Sequence, residues 1–94
     1  MDWERLLVEA FKNETRLLII KVLASGRKNI SRIVRETGKS YVSVERNLEG
    51  LKEAGIVKES RLGRVRLYEL SDDDYVKRVL GCIFGVVEGV RQDG

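Results

Sequence analysis

Between Asn29 and Gly55 the sequence leaves room for little except two short helices and a tight turn. Asn29 can accept from the free amides of a helix start, and Ile30, Ile33, Val34 and Thr37 then recur on one side at helical spacing. Gly38 follows where a left-handed residue ends a helix. Ser40 caps again two positions later, and beyond it Val44, Leu48 and Leu51 fall at i, i+4 and i+7 until Ala54-Gly55. Two helices around a three-residue turn make a helix-turn-helix.

The flanks extend the pattern on both sides. Trp3, Leu6, Leu7, Ala10 and Phe11 recur at helical spacing and predict an N-terminal helix ending near Lys12. Asn13 caps a second helix that runs through Leu17, Leu18, Ile19, Ile20, Val22 and Leu23 to about Ser25. Being apolar nearly all round, it is expected between the core and the terminal helices. After the helix-turn-helix, Ile56 to Ser60 and Val65 to Leu70 are β-prone stretches around Arg61-Leu62-Gly63-Arg64, a hairpin with a basic tip. Ser71 is expected to cap a last helix whose first turn holds Asp72, Asp73 and Asp74, where the helix dipole favours acids. The expected fold is mainly α with one small β-hairpin, in a single domain over 1–94: N-terminal helix 1–12, core 13–70, C-terminal helix 71–94.

This order of elements resembles the winged helix-turn-helix regulators, and within them the ArsR-like branch. Asn13-Glu14-Thr15-Arg16-Leu17 opens the second helix, Leu51-Lys52-Glu53-Ala54-Gly55-Ile56-Val57 closes the fourth, and Gly63-Arg64 lies in a hairpin ending Leu67-Tyr68-Glu69-Leu70. The resemblance covers roughly residues 12 to 70. It implies a prokaryotic, DNA-binding transcription regulator, commonly a homodimer joined by its outer helices. The helix at about 40–54 would enter the major groove, and the wing at 56–70 would approach the flanking backbone or minor groove. Metal sensors of that branch use cysteine and histidine ligands, and a chain with one cysteine and no histidine cannot sense metal that way.

Charge alone suits a polyanionic partner and a solvated basic surface equally. Residues 12–70 hold fourteen bases against seven acids, while both ends are net acidic. With Val44, Leu48 and Leu51 facing inward, the fourth helix is expected to present Tyr41, Val42, Ser43, Arg46 and Asn47 outward. Arg46 can pair with guanine O6/N7, Asn47 with adenine N6/N7, and Ser43 with base or phosphate, while Tyr41 can pack on sugar or a thymine methyl. Glu45 is expected to orient Arg46. Lys39 and Ser40, at the helix start, suit phosphate contacts. Taken by themselves, Arg46 and Asn47 are better accounted for by a solvated helix face, but that reading loses ground because Arg61, Arg64 and Arg66 cluster on one hairpin with only Glu59 and Glu69 near in sequence. Arg64 and Arg66 are two apart, so a strand would give them one basic face and leave Val65 and Leu67 the other.

The C-terminal helix carries more apolar surface than one contact needs. At 100° per residue its apolar positions span an arc of about 200°, so part of it is expected to meet a second chain. Val76, Leu80, Ile83, Val87 and Val90 follow 4-3-4-3 spacing and form the expected dimer seam, joined by Trp3 and Leu7 of the first helix. Gly81, Gly85 and Gly89 make a second stripe, which either packs closely or frays, at a cost of about 1 kcal/mol per glycine relative to alanine. Cys82, within the apolar arc, is expected to be an inert thiol.

The absences narrow the chemistry further. Without histidine, a Ser-His-Asp triad or Cys-His pair cannot be built from one chain, and no acid-base constellation suggests an enzyme. No metal or other cofactor is expected. The longest apolar run, Val79 to Val87 with its two glycines, falls short of the roughly 20 residues of a spanning helix, and a cytoplasmic location is expected. The composition, lacking proline and histidine and rich in Lys, Arg, Glu, Val, Ile and Leu, resembles thermophile proteins and suggests an archaeal source. Two alternatives stay open beside the sequence-specific regulator: a weakly specific architectural nucleic-acid binder, and a winged helix that binds protein.

Overall fold

The computed structural model describes residues 3–84, and within them all side chains except those of 75 and 81–84. The chain order is α1 (Trp3–Ala10), α2 (Glu14–Leu23), β1 (Lys28–Asn29), α3 (Ile30–Thr37), α4 (Tyr41–Glu53), β2 (Val57–Leu62), β3 (Val65–Leu70) and α5 (Asp74–Phe84). The three strands form one antiparallel sheet in the order β1-β3-β2. Among the described residues, no helix is long and apolar enough to cross a membrane.

The helix starts follow the capping side chains. Asn13 Oδ1 accepts from the Arg16 amide at 2.9 Å, Asn29 Oδ1 from Arg32 at 2.8 Å, and Ser40 Oγ from Ser43 at 3.1 Å. Each satisfies an amide that the first helical turn leaves without a backbone partner. Gly38, at φ 72°, turns the chain out of α3 while its amide donates to the Val34 carbonyl. At the far end of α4, Gly55 takes φ 80° and donates to Lys52, and the next amide, of Ile56, returns to the Leu51 carbonyl. That is a Schellman ending, and its usual apolar contact is supplied by Leu51 and Ile56, both fully buried.

One core joins every element except β1. Leu6 and Ala10 of α1, Ile19, Ile20 and Leu23 of α2, Ile30 and Ile33 of α3, Val44, Leu48 and Leu51 of α4, Ile56, Val57 and Tyr68 of the hairpin, and Val76 and Leu80 of α5 form a single buried cluster. The terminal helices therefore pack on the central unit.

Four expectations need correction. The pair Lys28–Asn29 is a strand as well as a helix start, pairing Lys28 with Tyr68 and Asn29 with Leu67. Two residues carry no periodicity by which to detect it. Ser71 does not cap α5: its hydroxyl accepts from the Asp73 amide, and Asp73 Oδ1 accepts from Val76 at the helix start. The third correction is the phase of β3. Tyr68 is the largest fully buried side chain, so Arg66, two residues before it, lies on the inner face, and Val65, 44% exposed, lies on the outer one. Finally, Val76 and Leu80, expected at a seam between two chains, are 3% and 1% exposed within this one. The apolar arc of α5 is partly spent on its own core. The side chain of Ile83, and all of Val87, Val90, Gly85 and Gly89, lie outside the described residues.

Candidate nucleic-acid interface

Four residues of α4 point inward at i, i+3, i+4 and i+7: Val44, Asn47, Leu48 and Leu51. Asn47 is thus on the buried stripe, 8% exposed, and not on the outer face where its chemistry suggested a base contact. Its side chain is engaged through both its oxygen and its nitrogen. Oδ1 accepts from Asn13 Nδ2 and from Arg16 Nε, both at 3.0 Å, and Nδ2 donates to the Ser43 carbonyl at 2.8 Å. Ser43 is half-buried, its hydroxyl 3.5 Å from that of Thr15.

Arg16 was absent from the sequence-based site, although at 6% exposure it is the buried Lys or Arg among the described residues. Its Nη1 donates to the Glu9 carbonyl at 3.0 Å and to Glu9 Oε1 at 2.9 Å. That hydrogen bond is the main reason the Glu9 carboxyl sits below the ordinary carboxylate range. The guanidinium occupies the space beside Gly50 of α4, where an added Cβ would stand 2.8 Å from Cζ and closer still to Nη2. Glycine costs a helix interior about 1 kcal/mol relative to alanine, and here the space it opens is occupied by the arginine. The signal available in the sequence was a mid-helix glycine facing a cation at the opening of another helix.

The outer face of α4 is what remains. Tyr41 is 47% and Val42 62% exposed, and Arg46 is exposed beside them. Arg46 makes no hydrogen bond or ion pair among the described residues. Lys39 lies at the helix start but its Nζ sits 2.9 Å from Glu14 Oε1, an exposed pair that contributes little and yields readily to a phosphate. Ser40 spends its hydroxyl on the cap.

The hairpin stands beside this face. Gly63, with φ 64°, is the first residue of a two-residue loop between Leu62 and Val65, a position where positive φ suits a hairpin. Arg61 and Arg64 are exposed and, like Arg46, have no side-chain partner among the described residues. Arg66 differs. It bonds Glu45 Oε2 and Glu59 Oε2, each at 3.2 Å, bonds the Tyr68 hydroxyl, and lies 5.6 Å from that ring's centre. The bonds to Glu45 and Tyr68 raise its pKa further above its usual value. Arg66 is therefore removed from the expected DNA-contacting set, and Glu45 holds Arg66 instead of Arg46.

The same cluster fastens the hairpin to α4. Lys52 reaches Glu59 at 2.7 Å and Glu49 at 3.3 Å, and the Lys52 bond is the principal cause of the lowered Glu59 pKa. Arg61 is the cross-strand partner of Arg66 and shares its face of the hairpin. Arg61 is thus turned toward the α4 side, where the residue after Glu45 is Arg46. The surface formed is a cationic edge with two exposed apolar side chains, Tyr41 and Val42, at its helical end.

Comparison with known proteins agrees with this architecture. Residues 13–59 match the family model for bacterial regulatory proteins of the arsR family. An uncharacterized HTH-type transcriptional regulator of Methanocaldococcus jannaschii is 37% identical over 78 residues, 82% of this chain and 86% of that one. A second HTH-type transcriptional regulator, from Mycobacterium tuberculosis, is 28% identical over 90% of this chain, which spans only 35% of that longer protein. Among solved structures, the homodimeric winged helix-turn-helix DNA-binding domain of a possible ArsR-family regulator from Mycobacterium bovis superposes with a TM-score of 0.74 at 27% identity, covering 87% of this chain and 75% of that one.

Proposed function

Because the chain belongs to the arsR family of bacterial regulatory proteins, we propose that it acts in the cytoplasm as a homodimeric transcription regulator on double-stranded DNA. In this reading α4 lies in the major groove and the β2-β3 hairpin on the adjacent backbone or minor groove. The observation that carries it is the bond from Glu45 to Arg66, which fixes hairpin and helix side by side with Arg46, Arg61 and Arg64 exposed on the edge. Arg46 reads a guanine edge, Val42 and Tyr41 meet a thymine methyl or sugar, and Arg61, Arg64 and Lys39 neutralise phosphates. Trp3 and Val8 of α1, 55% and 64% exposed, supply apolar surface for the second copy. Leu7, half-buried, borders them.

The burial of Asn47 also supports a weakly specific architectural binder as the second reading, because it removes one base-reading side chain. Selection from a pool of random duplexes at moderate salt, with sedimentation in parallel, separates the two. Enrichment of a two-fold symmetric motif by a dimer is the expected result. Retention without enrichment favours the architectural reading, and no retention at low salt overturns both.

A further inference from the structure

We infer that Arg16 is a positioning residue that fixes the angle between the first helix and the DNA-reading helix, and thereby the half-site spacing the dimer accepts. This rests on the homodimeric DNA-binding reading above. One guanidinium touches three helices: it belongs to α2, grips the last turn of α1 through the carbonyl and carboxylate of Glu9, and meets α4 through Asn47 and Gly50.

The apolar contacts of α1 would not do this alone. Only Leu6 and Ala10 of that helix are fully buried, and non-directional apolar contacts at two positions tolerate a small slide or roll. Hydrogen bonds are less tolerant. A shift of α1 by one residue moves it about 1.5 Å along its axis, enough to break bonds of 2.9 and 3.0 Å at Glu9. A buried ion pair adds little net stability over an apolar one of the same shape, and its best attested use is to select one arrangement among several. Here the arrangement selected joins the helix bearing exposed Trp3 and Val8 to the helix bearing exposed Arg46. Asn47 completes the clamp, being held in turn by Asn13 and by the Ser43 carbonyl.

The consequence is geometric. Two copies joined through α1 present two reading helices whose separation depends on how α1 meets α4. Half-sites of such dimers lie about 34–36 Å apart, and inserting one base pair rotates one half-site by about a tenth of a turn. A rigid junction rejects that change; a loose one accommodates it.

The test uses the full chain and the duplex enriched from the random pool, together with the same duplex lengthened or shortened by one base pair between half-sites. The wild type is expected to prefer the enriched spacing by about tenfold or more. Arg16→Lys keeps the charge but cannot span Glu9 and Asn47 together, and Glu9→Ala loosens the α1 end at a partly exposed position. Both variants should remain dimers by sedimentation, bind the altered spacings more tightly than the wild type does, and lose the preference. Glu9→Gln, which retains an oxygen acceptor, should restore it. Should Arg16→Lys not fold, Glu9→Ala carries the test. Equal weakening on all three duplexes would mean a merely structural role and overturn the proposal, as would a preference left intact in both variants or absent from the wild type. A wild type that retains no duplex at all would instead overturn the DNA-binding reading beneath it.

Discussion

Replacing Asn47 by alanine separates the two roles that its chemistry and its position suggest. The substitution deletes one donated and two accepted hydrogen bonds at a site 8% exposed. Two of the three lost partners recover. Asn13 is exposed and turns to water, and the Ser43 carbonyl keeps its place in the backbone ladder of α4. Arg16 Nε does not recover, because its side chain is 8% exposed and its Nη1 bonds to Glu9 hold the guanidinium where it is. Leaving a buried donor unsatisfied costs about 1–3 kcal/mol, with the upper half of that range appropriate to a cation. The expected loss is therefore about 2–3 kcal/mol. In a domain of this size each kcal/mol lowers Tm by about 4–8 °C, so the variant should melt about 8–24 °C below the wild type. Thermal and urea denaturation at one fixed protein concentration would measure it, since dimer stability depends on concentration. Arg46→Ala, at an exposed site, is the control and should stay within about 0.5 kcal/mol. If Asn47→Ala melted with the wild type while relaxing the preference for one adenine in the selected duplex, the buried placement would be refuted.

The exposed cations give two binding predictions. Arg46→Ala should cost about 1–3 kcal/mol on the selected duplex and little on random DNA, measured by titration on both. Arg64→Ala should weaken all sequences alike and reduce the slope of log affinity against log salt by about 1. Val8→Asp, at a site 64% exposed, should yield monomer in sedimentation with folding retained, and an unperturbed dimer would remove α1 from the interface. Acid stability follows from Glu9, Glu59 and Asp72, whose carboxyls are lowered chiefly by bonds to Arg16, Lys52 and Lys58 respectively. A carboxylate with a folded pKa below its unfolded one stabilises above the unfolded value and loses that contribution as pH falls through the folded one. The urea midpoint should therefore hold at neutral pH and begin to drop below about pH 4.5, and Glu9→Gln with Glu59→Gln should flatten that limb.

The helices were legible because their ends are written in side chains. Asn13, Asn29 and Ser40 cap where expected, and Gly38, Gly55 and Gly63 take positive φ where a turn needs it. Residue type and helical or strand phase point in opposite directions at two positions. Asn47 is three residues after Val44 and four before Leu51, an inward position by period, yet its amide suggested a base contact. Arg66 is two residues from Tyr68, and the buried tyrosine sets which face of β3 is inner. A strand with arginine and tyrosine inward and valine outward inverts the usual pattern. It is tolerated because Glu45, Glu59 and the tyrosine hydroxyl satisfy the guanidinium. The arc of α5 was too wide for one contact, but arc width cannot say whether the contact is with its own chain or another, and Val76 and Leu80 turned to their own.

Asn47 and Arg66 were both expected at the DNA and are both committed to internal bonds, one joining α4 to α1 through Arg16 and the other joining α4 to the hairpin. Each polar group withdrawn from the reading face fixes that face against a neighbouring element. In the proposed DNA-binding reading, Arg46 is then the main hydrogen-bonding reader left exposed on α4 in each copy, with Tyr41 and Val42 beside it. A single bidentate contact discriminates by about 1–3 kcal/mol, far below the roughly 4–10 kcal/mol that separates specific from non-specific binding. In the proposed homodimer the difference would come from requiring two copies to place their arginines and hairpins correctly at once. In that reading rigid junctions, rather than additional base contacts, would meet the requirement, and the clamp proposed at Arg16 would then bear on specificity from a position inside the protein.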